Sequence, residues 1–166
     1  MRNPQEHPTC ELTGYFPGVI GKVTELHAVY YSENWGFDLS FETQVGRELS
    51  EFLSRFDARK DGFWAALCNR DFAGAVAIDG GQPEGARLRW FIVRPDLQGS
   101  GIGTVLIRKA VDFCRSAGHK NIYLWTFKGL DQARTLYERA GFVLTEEHEI
   151  EQWGNTIDEQ KFELGL

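Results

Sequence analysis

Apolar positions recur at helical spacing in two early stretches. Val19, Val23, Leu26, Val29 and Tyr30 form one stripe, and Phe41, Val45, Leu49, Phe52, Leu53 and Phe56 form a second. Residues three and four apart share a helix face, so each stripe predicts an amphipathic helix. Asn34, Gly36 and Asp38 break the chain between them. The period then changes. WAALC (64–68) and FAGAVAI (72–78) predict two strands joined by a tight turn around Asn69-Arg70-Asp71. DGGQPEG is a longer loop, and ARLRWFIV (86–93) alternates before ending in an apolar run, as a central strand does. Ile102, Val105, Leu106, Ala110 and Phe113 mark a third helix that Gly118 stops. NIYLWTF is a strand; Ala133, Leu136, Tyr137 and Ala140 give a short helix ending at Gly141. FVLTEEHEI and TIDEQKFEL predict a last pair of strands about a turn at Gly154-Asn155. Residues 1–12, polar and carrying Pro4 and Pro8, read as a loose arm before one domain, 13–166. The order α-α-β-β-β-α-β-α-β-β predicts an α/β (α+β) fold with a mixed sheet.

Composition narrows the function only at its edges. Apolar residues are 42% and charged residues 25% of the 166, ordinary for a globular protein. A net charge of −6 argues against a nucleic-acid partner, which calls for a basic patch. No apolar run reaches the ~18 residues of a membrane span, and the N-terminus has no apolar signal segment. The cysteines, Cys10, Cys68 and Cys114, are distant and odd in number, which predicts neither a disulfide framework nor a zinc site. A reducing, cytoplasmic setting is the expectation. His7, His119 and His148 are scattered and predict no metal site.

The stretch RPDLQGSGIGT (94–104) carries the chemistry. Gly99, Gly101 and Gly103 alternate between a strand and a helix. The first N–H groups of a helix lack internal partners and carry partial positive charge, so a glycine-lined helix start is an anion site, best for phosphate. The Gln98 amide and the Thr104 hydroxyl are further donors. The stretch is not a Walker loop, since no Lys follows Gly103, and G-x-G-x-G is not the dinucleotide spacing. A glycine turn that only packs closely is the competing reading.

This stretch resembles the central signature of the GNAT superfamily of acyl-CoA-dependent N-acetyltransferases, Q/R-x-x-G-x-G/A after a strand and a V-x-P turn. Gln98, Gly101 and Gly103 stand at its positions, with Val93-Arg94-Pro95 before them. A second signature, L-Y-x-x-x-G-F, is matched by Leu136, Tyr137, Gly141 and Phe142. The resemblance covers about residues 64–164. Gly21, His27 and Tyr30 further resemble the acetyltransferase half of MarR–GNAT fusion proteins; no winged-helix half accompanies them.

The resemblance implies a mostly antiparallel sheet and acetyl-CoA as cosubstrate, without a metal. It implies that backbone amides of Gln98, Gly99, Ser100, Gly101, Ile102, Gly103 and Thr104 hold the pyrophosphate. Phe91, Ile92 and Val93 would pair with the pantetheine arm as an added strand. Tyr137 would be the general acid that protonates the leaving thiolate. Leu130 stands where many relatives have an Asn that bonds pantetheine, so that contact is either missing or supplied by Thr126. No carboxylate stands in 87–90, where many relatives have a Glu base. Base candidates are therefore His27 and Glu42, with Glu25 and Asp38. Trp90 and Trp125 are candidate walls of the acceptor pocket. The implied reaction is acetyl transfer to a primary amine, on a small molecule ahead of a protein, by direct attack in a ternary complex. No nucleic acid or membrane partner is implied, and a homodimer is the form in which many relatives pair. A non-catalytic acyl-CoA sensor and a protein-interaction module of the same fold are the alternatives.

Overall fold

A computed structural model describes residues 9–166. Pro4, Pro8 and His7 lie outside the described residues. The elements are β1 (Cys10–Thr13), α1 (Val19–Trp35), α2 (Leu39–Ser54), β2 (Gly62–Cys68), β3 (Asp71–Asp79), β4 (Ala86–Val93), a 3-10 turn (Pro95–Leu97), α3 (Ile102–Ala117), β5 (Asn121–Phe127), α4 (Asp131–Arg139), β6 (Val143–Gln152) and β7 (Asn155–Gly165). The strands form one mixed sheet in the order β1-β2-β3-β4-β5-β7-β6. Each neighbouring pair is antiparallel except β4–β5. The fold class is as expected.

Strand alternation sorts the core into two layers. Val76, Ile78 and Leu88 face α3 and α4, packing on Leu106, Ala110 and Phe142. Ala75, Ala77 and Trp90 face α1 and α2, packing on Val23, Leu49 and Phe52. The stripe of α2 is as the spacing predicts: Phe41, Val45, Leu49 and Phe52 are buried, and Asp38 caps the helix by accepting from Ser40 N–H at 2.9 Å. The stripe of α1 is rotated. Val19, Val23 and His27 are buried, whereas Val29 is 47% exposed. A histidine occupies the core position where apolar spacing placed leucine and valine.

Two expectations are corrected in the first strand. Residues 10–12, read as part of a loose arm, pair with β2. The segment CELT is only four residues long and at a sheet edge, too short to carry a hydrophobic signal. Its register sets Cys10 opposite Cys68, and the two form a disulfide across 58 residues of chain. The cysteine argument for a reducing setting is therefore lost. Cys114 is the free cysteine, buried in the core, where burial pushes its thiol up to about 12.

The two tight hairpins each use two residues with positive φ, the backbone that matches strand twist. Asn69 and Arg70 (51° and 70°) turn β2 into β3. Trp153 and Gly154 (54° and 76°) turn β6 into β7, one residue before the expected Gly154-Asn155. The Trp153 ring lies 5.0 Å from both Phe37 and Phe41, and its Nε1–H donates to Gln44 Oε1 at 2.9 Å. Asp38 N–H donates to the Trp153 carbonyl at 3.1 Å. The hairpin tip is thus fastened to the junction of α1 and α2. Among the described residues, no helix is long and apolar enough to cross a membrane.

Thiol titration of the denatured protein should give one reactive thiol before reduction and three after it. Reduction should also remove about 2–4 kcal/mol of stability, the usual contribution of a disulfide closing a loop of this size. Three thiols without reduction would contradict the pairing.

Candidate active site

The site begins where the sheet comes apart. β4 and β5 pair only at Ala86↔Ile122 and Arg87↔Tyr123, yet β4 continues to Val93 and β5 to Phe127. On its other edge, β4 pairs Arg89 with Ala77 and Ile92 with Ala75, so two residues, Trp90 and Phe91, oppose Val76. Trp90 takes the left-handed conformation, φ 48°. Such a bulge bends its strand and sharpens the twist. The bend leaves an opening in the middle of the sheet. Arg94 N–H donates to Ala73 O at 2.8 Å, so strand alternation turns the groups of Val93 to the opening.

The glycine corner closes one side. α3 starts at Ile102 with no side-chain cap, and its first ladder bond runs from Val105 N–H to Gly101 O at 3.1 Å. The N–H groups of Ile102, Gly103 and Thr104 precede that ladder. Gly101 adopts φ 94° with open space where a side chain would be, a conformation that costs a side-chain residue about 1–2 kcal/mol. Gly103 has another purpose: a Cβ there would meet Leu136 Cδ1 at 2.7 Å and Phe91 Cζ at 3.3 Å. It lets α3 approach β4 and α4. The corner is thus a packing turn at one glycine and an exposed helix start at the other.

Within the run 98–104, two residues already have partners inside the turn. Gln98 N–H bonds Pro95 O at 3.4 Å, and its side-chain Nε2 donates to Val93 O at 3.2 Å. Ser100 N–H bonds Leu97 O at 3.3 Å, and the Ser100 hydroxyl donates to the same carbonyl. These groups build the turn. Ile102 is a core side chain that contributes only its backbone.

A groove of about 660 Å³ runs from this corner into the opening. Val93, Gln98, Gly99, Gly101, Gly103 and Thr104 line one side, and Leu130, Asp131 and Leu136 the other. A second cavity, about 220 Å³, lies beneath α1, α2 and the β6–β7 hairpin. Tyr31, Phe91, Leu130 and Ala133 border both spaces, so the two meet at the splay. Trp90, Trp125 and Thr126 line the second cavity.

Tyr137 faces that second cavity beside the junction. It packs on Phe91 (ring centroids 5.8 Å), Phe142 (6.0 Å) and Phe162 (6.1 Å). The second signature holds it there. Gly141, φ 102°, ends α4, and Phe142 N–H returns to the carbonyl of Tyr137 at 3.0 Å, a Schellman closure. Burial, with a smaller contribution from nearby Tyr31, pushes the Tyr137 hydroxyl well above the ordinary phenol value.

The expected bases separate. His27 lines the cavity, but its Nδ1 donates to Val23 O at 2.8 Å, and burial lowers it to about 4. Glu42 and Glu25 are exposed and Asp38 is spent on its cap, so none of the three lines the cavity. The carboxylates on the wall are Glu48 and Glu159, which sequence reasoning missed. Glu48 is six residues beyond Glu42, on the inner side of α2, and pairs with Arg89 of β4. Glu159 of β7 pairs with His148 of β6 at 3.0 Å. Helix phase could have found Glu48: it precedes core residue Leu49 by one and follows core residue Val45 by three. Arg87, Arg89, Gln44 and Gln152 complete the polar lining. Among the described residues, no group of His, Cys, Asp and Glu could hold a metal.

A splayed β4–β5 pair with a glycine helix start at its mouth defines a class, and comparison places the chain within it. Residues 21–142 match the Acetyltransferase (GNAT) family, and the chain belongs to that family. An uncharacterized N-acetyltransferase of Methanocaldococcus jannaschii is 31% identical over 130 residues. That match takes in 74% of this chain and 55% of the relative, so the chain spans about half the relative's length. Among solved structures, a GNAT-family acetyltransferase of Staphylococcus aureus superposes with a TM-score of 0.75 at 16% identity, over 95% of this chain and 99% of that one. The structure of yncA from Salmonella typhimurium, with its cofactor acetyl-CoA, gives a TM-score of 0.71 at 13% identity, over 94% and 93%. These two share the fold.

The two glycines should respond differently. Gly103→Val should cost roughly 1–3 kcal/mol by overpacking. Gly101→Asn, a residue that visits the left-handed region, should cost less than about 1 kcal/mol. Urea unfolding of the two variants checks the assignment; equal losses would refute it.

Proposed function

We propose that this protein transfers an acetyl group from acetyl-CoA to a primary amine, the amine attacking the thioester directly with both substrates bound. One observation carries the reading: two cavities of different character meet at the β4–β5 splay, with Tyr137 beside the junction. The acetyl-CoA of the Salmonella structure and the N-acetyltransferase name of the archaeal relative support it. An acyl-CoA sensor requires only the groove; the polar second cavity favours an enzyme.

In this reading the N–H groups of Ile102, Gly103 and Thr104 hold the pyrophosphate, aided by the α3 dipole. The free edge at Phe91–Val93 pairs with the amides of the pantetheine arm. A backbone N–H of that edge stabilises the negative charge that develops on the thioester oxygen. Tyr137 remains protonated across the neutral range and donates its proton to the departing sulfur. The acceptor enters as an ammonium, with a reference value of about 10.4 for a lysine-like amine. Glu159 takes the first proton and passes it to His148, whose side chain is 48% exposed and opens to solvent; the second proton, lost by the nitrogen as the amide forms, restores the Tyr137 hydroxyl after it has protonated the sulfur. His27 does not serve, because its protonation would leave a buried, unpaired charge. The size of the second cavity favours a small acceptor over a protein chain.

Three measurements test this. Calorimetry should detect binding of acetyl-CoA and CoA by the wild type and none by Gly101→Asp, which puts a carboxylate at the phosphate site; no wild-type binding would overturn the reading. Tyr137→Phe should lower kcat by roughly 100-fold or more, the usual size of general-acid catalysis, with the acetyl-CoA KM unchanged. Glu159→Gln should lower kcat/KM about tenfold at pH 7. Its deficit should shrink as pH approaches the amine's own value, where the free base needs no acceptor. A deficit independent of pH would remove Glu159 from the proton route.

A further inference from the structure

The second cavity contains a cation that no group among the described residues matches. Arg87 and Arg89 lie two apart on β4 and so point to the same face. Arg89 is satisfied: it pairs with Glu48, and its guanidinium lies 4.2 Å over the Trp90 ring. Arg87 also lines the cavity, yet its Nε is buried without a hydrogen-bond partner. A buried, unmatched donor on a charged group is costly and calls for a ligand.

The nearest candidate partner is already taken. Asp79 stands opposite Arg87 in register, but its carboxylate accepts from Arg55 at 2.7 Å, Gln82 Nε2 at 2.8 Å and Gly81 N–H at 3.1 Å. Tyr123, paired with Arg87 on β5, offers a phenol and no charge. Glu48 is held by Arg89. Among the described residues no carboxylate pairs with Arg87.

Its position matters as much as its isolation. Arg87 is the last residue of β4 paired with β5, at the closed end of the splay. Glu159 pairs with Phe127, the last residue of β5 and four residues from Tyr123, at the open end. Four residues of strand span roughly 13 Å between backbones, which the long arginine side chain shortens. The cavity is therefore bipolar along its length, with an unmatched cation at the closed end and a carboxylate near the transfer point.

We infer that the acceptor is a small amine carrying an anionic group, and that Arg87 binds that group while Glu159 receives the ammonium. The class is that of amino acids and their anionic analogues; alkylamines and diamines lack the second group. The guanidinium presents a flat fork of donors that a carboxylate fills with two bonds. This inference rests on the acetyl-transfer reading and adds the chemistry of its acceptor.

The test is steady-state transfer from acetyl-CoA to two matched series. One is glycine, β-alanine, 4-aminobutanoate and 6-aminohexanoate; the other is alkylamines and diamines of the same lengths. The wild type should favour at least one carboxylated amine at least tenfold in kcat/KM over its matched alkylamine and diamine. Arg87→Gln should raise KM for that acceptor at least tenfold while the acetyl-CoA KM stays put, and Arg87→Lys, which keeps the charge and loses the fork, should recover part of the loss. A merely structural Arg87 would move both KM values together and overturn the inference. So would transfer with no preference for the carboxylated series, or with a preference for diamines. Transfer to no amine combined with loss of acetyl-CoA binding would instead remove the reading on which the inference rests.

Discussion

The bulge in β4 is the feature on which the rest depends. A parallel pair at the centre of a sheet normally runs its length, with each backbone group bonded to the neighbouring strand. Here the pairing stops at Arg87↔Tyr123, and the turn of Trp90 into the left-handed region accompanies the divergence of the strands. That conformation costs a bulky residue free energy, and strain of this kind persists only where surrounding packing holds it. The packing is visible: the Trp90 ring lies 5.4 Å from that of Phe52, tilted by 38°, and under the Arg89 guanidinium. The same event exposes a strand edge and opens a path through the sheet.

Both sides of the opening are then sealed by different means. On the α3 side, Gly103 removes a side chain so that Leu136 and Phe91 can close on the helix start. On the α1–α2 side the seal is aromatic. Tyr31, Phe37, Phe41, Phe127 and Trp153 pack with ring centroids between 5.0 and 5.8 Å. The distant β6–β7 hairpin contributes the Trp153 ring, and Asn155 Nδ2 donates to Trp35 O at 2.6 Å. The shape of the second cavity is therefore set by elements at opposite ends of the chain.

Periodicity and local motifs made much of this legible before the coordinates. The stripe of α2, the central strand, the glycine corner and the Leu136–Phe142 signature all carry their information in short stretches. What was hidden depends on long-range registration. Strand β1 is four polar and apolar residues at an edge, and its pairing with β2 alone brings Cys10 to Cys68. The rotation of α1 places His27 inward because Val19, Val23 and His27 follow a strict i, i+4 row. Glu48 and Glu159 are ordinary helix and strand carboxylates in sequence; only the packing of α2 on β4 and of β7 beside β5 brings them to one wall. Arg87 and Arg89 read as the polar half of an alternating strand, and their significance lies in which of them finds a carboxylate.

In the proposed function the exposed edge of β4 and the start of α3 form one ligand-binding surface. Hydrogen–deuterium exchange with and without CoA reads both backbones directly. Slowed exchange is predicted at the amides of Val93 and 102–104 together, with little change in β1, β2 and β6. Protection confined to the helix start, or absent from both, would show that the opened edge of β4 does not bind the ligand, and would contradict the account.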